Sequence, residues 1–177
     1  MRHIEINQVL YKSTKNELTS SEHGTDETKF SLYRGAKVTT PEAEINLAAL
    51  YHEITRSDKV RRQITAVRNS ADDDARKAAK AQLPAVSVAG VFSQRNDQAL
   101  IHYAGLIVLD FDDVPQPEQA RDILARCAGC ALAFVSPSGT GVKAIFRHDG
   151  KAEHHAHTFR QIAASVCSWP IWIRPSS

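Results

Sequence analysis

Gly105-Leu-Ile-Val-Leu-Asp-Phe-Asp-Asp113 is an apolar run that ends in carboxylates. A buried strand is expected over 105–110. Side chains on a strand alternate between its two faces, so Asp110 and Asp112 share one face at the strand's end. Like charges closing a buried strand call for a compensating cation, and hard carboxylate oxygens suit Mg²⁺ or Mn²⁺. Asp113 points the other way and is expected to cap the turn at 115–117 or to support the pair from behind.

The neighbouring segments extend this strand into a compact pattern. Residues 117–128 read as an amphipathic helix with proline at its first position. Cys130-Ala-Leu-Ala-Phe-Val135 and Val142-Lys-Ala-Ile-Phe-Arg147 read as two further strands. The order β-α-β-turn-β is half of a ferredoxin-like, RNA-recognition-like α+β fold, an antiparallel sheet packed on helices with its other face left for ligands. Residues 153–166 follow as a helix with Phe159, Ile162 and Val166 on one side.

The last two strands are joined by Ser136-Pro-Ser-Gly-Thr-Gly-Val-Lys143. Ser136 and Ser138 offer hydroxyl donors. Gly139 and Gly141 allow backbone N–H groups to approach an anion with no Cβ in the way. Lys143 adds a point charge for phosphate. The spacing is not that of a P-loop, and a strand follows instead of a helix. A plain glycine-rich hairpin with an exposed lysine would read the same way in isolation. Beside Asp110 and Asp112 the turn points to nucleotide chemistry, with Asp110 and Asp112 on metal and Ser136, Ser138, Gly139, Gly141 and Lys143 on the nucleotide.

Towards the N-terminus, residues 1–36 read as a strand (Ile4, Ile6, Val9-Leu10-Tyr11) and a polar, mobile loop over 13–29. A helix is expected to start at Thr40-Pro41, with Thr40 as cap, and to carry Ile45, Leu47, Leu50 and Tyr51 into the core. Residues 57–82 read as one long helix or two short ones, ended by Leu83-Pro84. From Arg56 this stretch holds eight basic residues, Arg56, Lys59, Arg61, Arg62, Arg68, Arg76, Lys77 and Lys80, against Asp58, Asp72, Asp73 and Asp74. It is either a solvated helix face or a flank for phosphates. Val86, Val88, Val91 and Phe92 around Gly90 suggest a short strand or hairpin arm.

Composition narrows the function classes. A length of 177 residues fits one domain, and 42% hydrophobic with 24% charged residues is ordinary for a globular chain. The net charge of +2 permits a nucleic-acid partner without demanding one. No run reaches the roughly eighteen apolar residues of a membrane span, and the N-terminus lacks the apolar core of a signal peptide. A cytoplasmic protein with no membrane partner is expected. Cys127, Cys130 and Cys167 are odd in number, which argues against a disulfide framework. Cys127-Ala-Gly-Cys130 with His154, His155 and His157 downstream could hold zinc or act in redox chemistry. Without a second matching pair, buried structural cysteines and a solvated histidine cluster are expected. Among enzyme classes, no G-x-S-x-G elbow, H-E-x-x-H or Cys/His pair competes with metal-ion catalysis.

Leu83-Pro84-Ala85 with Gly90-Val-Phe92 and Arg95, then 103–113, then Phe134 to Phe146, together resemble the primase-polymerase-like domain at the N-terminus of VirE-type proteins, within the archaeo-eukaryotic primase superfamily. The resemblance covers roughly 30–165. It implies an RNA-recognition-like core that joins nucleoside triphosphates on a single-stranded nucleic-acid template with Mg²⁺ or Mn²⁺, in replication of a mobile element or phage. It places Asp110 and Asp112 in the first, metal-binding motif and Ser136 to Lys143 in the second, with Lys143 where many primases carry histidine. A third acidic motif belongs on a later strand, yet no Asp or Glu follows Glu153. The expected organisation is therefore 1–36, an incomplete core over 37–166, and an atypical Trp-Pro-Ile-Trp tail over 167–177. Truncation or a frameshift would explain it, would remove a fused helicase domain, and would impair activity. A non-catalytic single-stranded nucleic-acid-binding module, a metal-dependent nuclease or phosphatase, and a fragment without function of its own are the alternatives.

Overall fold

The computed structural model describes residues 10–11, 28–148 and 150–167. Its elements are β1 (Leu10–Tyr11), β2 (Phe30–Tyr33), β3 (Ala43–Ile45), α1 (Leu47–Arg56), α2 (Asp58–Arg68), α3 (Asp73–Ala81), β4 (Ala85–Ser87), β5 (Gly90–Phe92), β6 (Leu100–Tyr103), β7 (Leu106–Phe111), α4 (Pro117–Leu124), β8 (Cys130–Val135), β9 (Val142–Arg147) and α5 (His155–Cys167). This is an α+β architecture with antiparallel sheets. No helix among the described residues is long and apolar enough to cross a membrane.

The main sheet has the order β1-β8-β9-β7. Strand β9 pairs antiparallel with both β7 and β8, so β7 and β8 run the same way with β9 between them. Alternation along these strands sorts their side chains into two cores. Ile107, Leu109, Phe111, Ala144 and Phe146 face α4 and α5, where Leu124 and Val166 are buried and Phe159 and Ile162 pack alongside. Leu106, Leu132 and Ile145 face the opposite way, onto Phe30, Leu47, Leu50 and Val88.

The second core belongs to the preceding half of the chain. Strand β2 is central in a three-stranded sheet, β3-β2-β4, and β5 pairs with β6 as a separate hairpin. The buried Ser31 hydroxyl accepts from the Phe92 N–H at 2.9 Å and ties β2 to β5.

Several expectations need correction. The boundary drawn at residue 36 cuts through one unit, because Phe30–Tyr33 pairs with strands on the far side of it and Phe30 and Tyr33 are wholly buried. The first helix starts at Leu47, not at Pro41. Ile45 sits on β3 opposite Phe30, and the Asn46 side chain caps the helix by accepting from the Ala49 N–H at 2.9 Å. Of the two readings of 57–82, the two short helices are what forms, with a break before Asp72, which caps α3. Asp113 does not cap α4, whose N-cap residue is Gln116 with no side-chain cap bond. It adopts the left-handed conformation (φ 51°) in the turn after β7. Ile4 and Ile6, residues 13–27 of the expected loop and the tail beyond 167 lie outside the described residues.

Leu109 is fully buried between sheet and helices. Leu109→Ala is expected to cost about 2–5 kcal/mol in urea unfolding. Val108→Ala, at a position 38% exposed on the opposite face, is expected to cost under about 1 kcal/mol.

Candidate functional site

The face of the main sheet away from α4 and α5 is only partly covered. Between it and the α1, α2 and β4 region lies a cleft of about 470 Å³, within the usual range for small-molecule sites. Asp110, Asp112, Ser136, Ser138 and Lys143 line one part of it. Leu50, Ile54, Val60, Ile64 and Val86 form an apolar wall, with Val108 and Phe134 contributed by the sheet. Five of the seven site residues expected from the sequence therefore meet at one cleft; Gly139 and Gly141 do not line it.

The polar part is built by register. Asp110 lies directly opposite Lys143 on β9, and Lys143 lies opposite Phe134 on β8. The Lys143 ammonium donates to Asp110 Oδ2. The charge compensation demanded by the strand's acidic end is thus supplied from within the chain. Asp110 Oδ1 is buried and has no hydrogen-bond partner among the described residues. Asp112 stands just past the end of β7 and lines the same cleft.

The Ser-Gly turn departs from the expected anion cradle. The Gly139 N–H donates to the Ser136 carbonyl at 2.9 Å, and the Gly141 N–H donates to Ser136 Oγ at 3.1 Å. Both amides are therefore engaged inside the turn. The glycines serve its shape: Gly139 has φ +82°, and a Cβ at Gly141 would collide with the Phe111 carbonyl oxygen. Ser136 is buried and structural. Ser138 Oγ lies 3.0 Å from Ser136 Oγ and accepts from the Thr140 hydroxyl at 3.2 Å.

Most of the basic stretch turns out to be a solvated face. Arg61, Arg76 and Lys77 pair with Asp58, Asp73 and Asp74 one turn away. Arg68 and Lys80 differ. Arg68 Nε donates to the Pro137 carbonyl at 3.2 Å and lies against Gly139, and Lys80 lines the cleft. Glu53 of α1 also lines it. Among the described residues, no three His, Cys, Asp or Glu side chains lie close enough to share a metal ion. Cys127 is partly buried in the turn before β8, and Cys130 is buried at the start of that strand.

At the other end of the sheet His155, expected in a solvated histidine cluster, is instead partly buried in a group with Tyr103 and His148. Tyr103 Oη lies 2.6 Å from His148 Nε2 and 2.8 Å from His155 Nδ1. His148 Nδ1 accepts from the Gly150 N–H at 2.9 Å, so the proton of the neutral ring sits on Nε2 and is donated to Tyr103. The phenol then donates to His155 Nδ1. Burial raises the Tyr103 pKa. Burial first, and the neighbouring His148 second, lower that of His155 below 6.5. A lowered folded-state pKa means the unfolded chain binds the proton more readily, so this group's stabilisation is present above about pH 6.5 and is lost as pH falls through the folded value. The melting temperature is expected to drop between about pH 7.5 and about pH 5, and to drop less in His155→Gln. Equal slopes for the two proteins would exclude this account.

A family model described as BT4734-like, N-terminal domain, matches residues 78–167, just over half of the chain, and the chain belongs to that family. The match runs from within α3 to the end of α5 and includes Asp110, Asp112, Ser136, Ser138 and Lys143. No curated protein and no solved structure matches the chain.

Proposed function

We propose that this BT4734-like N-terminal domain is a nucleotidyltransferase of the primase-polymerase kind, extending or starting a strand from nucleoside triphosphates on a single-stranded nucleic-acid template. The reading places it in the cytoplasm, in replication of a mobile element or phage, alongside a helicase activity. The supporting observation is the convergence of Asp110, Asp112, Ser138 and Lys143 on one cleft with an apolar wall. The order β7-α4-β8-β9-α5 also suits an RNA-recognition-like core, with the cleft on the face that such sheets leave to ligands.

A triphosphate entering the cleft meets Lys143 as its cation and the Ser138 hydroxyl as a hydrogen-bonding group. The wall of Leu50, Ile54, Val60 and Ile64 accepts the flat, apolar faces of a base. Asp110 and Asp112 are the residues that would hold Mg²⁺ or Mn²⁺. The unpartnered Oδ1 of Asp110 suits that role, and two protein carboxylates leave the other ligands to phosphate oxygens and water. When bound, the ion supplies activation of the attacking oxygen and neutralisation of the leaving pyrophosphate.

One observation favours a second reading. Lys143 already neutralises Asp110, and no third acid joins the pair among the described residues. A non-catalytic single-stranded nucleic-acid-binding module would need no more. A primed single strand incubated with nucleoside triphosphates and Mn²⁺ separates these readings. Lengthening that falls by about 10²-fold or more in Asp110→Ala/Asp112→Ala is the expected result. Shortening would mean a nuclease. Strand binding that survives the double substitution, with no extension by either protein, would leave the binding module.

A further inference from the structure

Asp110 and Lys143 sit opposite each other on adjacent strands, so their contact is imposed by backbone pairing rather than by a chance meeting of long side chains. Phe134, next in the same row, walls the pair from the third strand. The carboxylate is half satisfied: Oδ2 takes the ammonium, while Oδ1 is buried without a partner among the described residues. We infer that Lys143 is a resident substitute for the divalent ion, neutralising Asp110 in the cleft and releasing it only when a triphosphate draws the ammonium away. This rests on the nucleotidyltransferase reading and specifies how its site is regulated.

The physical argument is competition for one carboxylate. A dication approaching Asp110 while the ammonium is in place meets a like charge at contact distance in a partly enclosed cleft. The lysine stem is flexible and its ammonium has three donors, so a polyphosphate can recruit it. Ser138, on the turn that leads into β9, lines the same cleft and offers such an anion a hydroxyl. Arg68 is held against the same turn, its Nε donating to the Pro137 carbonyl. Once Lys143 moves to phosphate, both Asp110 oxygens are open and Asp112 stands at the same cleft. Metal and nucleotide binding are thereby coupled, and the coupling is reciprocal. Free metal binds poorly, and the ion enters together with the nucleotide.

Mn²⁺ binding followed by electron paramagnetic resonance tests this without any turnover. The wild-type chain, Lys143→Met and Lys143→Arg are each titrated with and without a non-hydrolysable nucleoside triphosphate analogue. The wild type is expected to bind Mn²⁺ at least about fivefold more tightly with the analogue present. Lys143→Met is expected to bind Mn²⁺ more tightly than wild type in the absence of analogue, and to lose the coupling. Lys143→Arg, which keeps the charge, is expected to bind free Mn²⁺ as weakly as wild type. A thermal melt establishes that each variant is folded, and Lys143→Gln replaces the methionine variant if that one does not melt cooperatively. Mn²⁺ affinity in the neutral variant equal to or below wild type without analogue overturns the inference. Nucleotide-dependent Mn²⁺ binding by the wild type in that case leaves the proposed function standing. No Mn²⁺ binding by any of the proteins, even with the analogue, removes both.

Discussion

The polar end of the cleft depends on the hydrogen-bonded register of β9 between β7 and β8. That register puts Asp110, Lys143 and Phe134 in one row and Val108, Ile145 and Leu132 in the next. It is held from the opposite face, where Leu109, Phe111, Ala144 and Phe146 are buried under α4 and α5. A slip of one residue would exchange the two faces of β7. It would drive Asp110 into the apolar core and lift Leu109 into the cleft, at a cost of several kcal/mol for the buried carboxylate alone. Packing under α4 and α5 thus positions the polar residues on the opposite face of the sheet.

The turns around the site are locked to each other as well. The Val114 N–H donates to the Thr140 carbonyl at 2.8 Å, joining the loop after β7 to the Ser-Gly turn. Gly141 passes so close to the Phe111 carbonyl that no side chain fits between them. The turn closes on itself through Ser136, whose N–H donates to the Gly141 carbonyl at 2.8 Å and whose hydroxyl accepts from the Gly141 N–H. Arg68 fastens the outside of the same turn to α2.

The three central strands and their two helices were legible because their apolar residues recur at period two or at helical spacing, and because proline and glycine mark their ends. Strand β9 is read from Val142 to Arg147 without error for this reason. The cleft's membership was legible in part: a carboxylate pair and a serine-glycine turn can be recognised in isolation, and both arrive at the cavity. Their pairing was not legible, because only the register of β7 on β9 reveals that the lysine expected on phosphate sits against Asp110. Strand β2 was missed because Phe-Ser-Leu-Tyr is short and adjoins a long polar run. Asn46 was missed as a cap because Thr40-Pro41 carries the stronger local pattern. His148 and His155 lie 45 and 52 residues from Tyr103, and no spacing rule connects them to it. Arg68 reads as one more charge on a helix until the fold brings Pro137 beside it.

The locked turns have a consequence for selectivity. Backbone bonds hold the end of the cleft that bears Asp110 and Ser138, while its other wall is aliphatic side chains of α1 and α2. Directional groups on a fixed frame discriminate by geometry, whereas apolar contact has no preferred direction and tolerates flat ligands of differing outline. A cavity divided in this way is strict about the shape of what sits at its charged end and permissive about what lies along its greasy side. On the proposed reading, that division suits several bases handled through one phosphate chemistry.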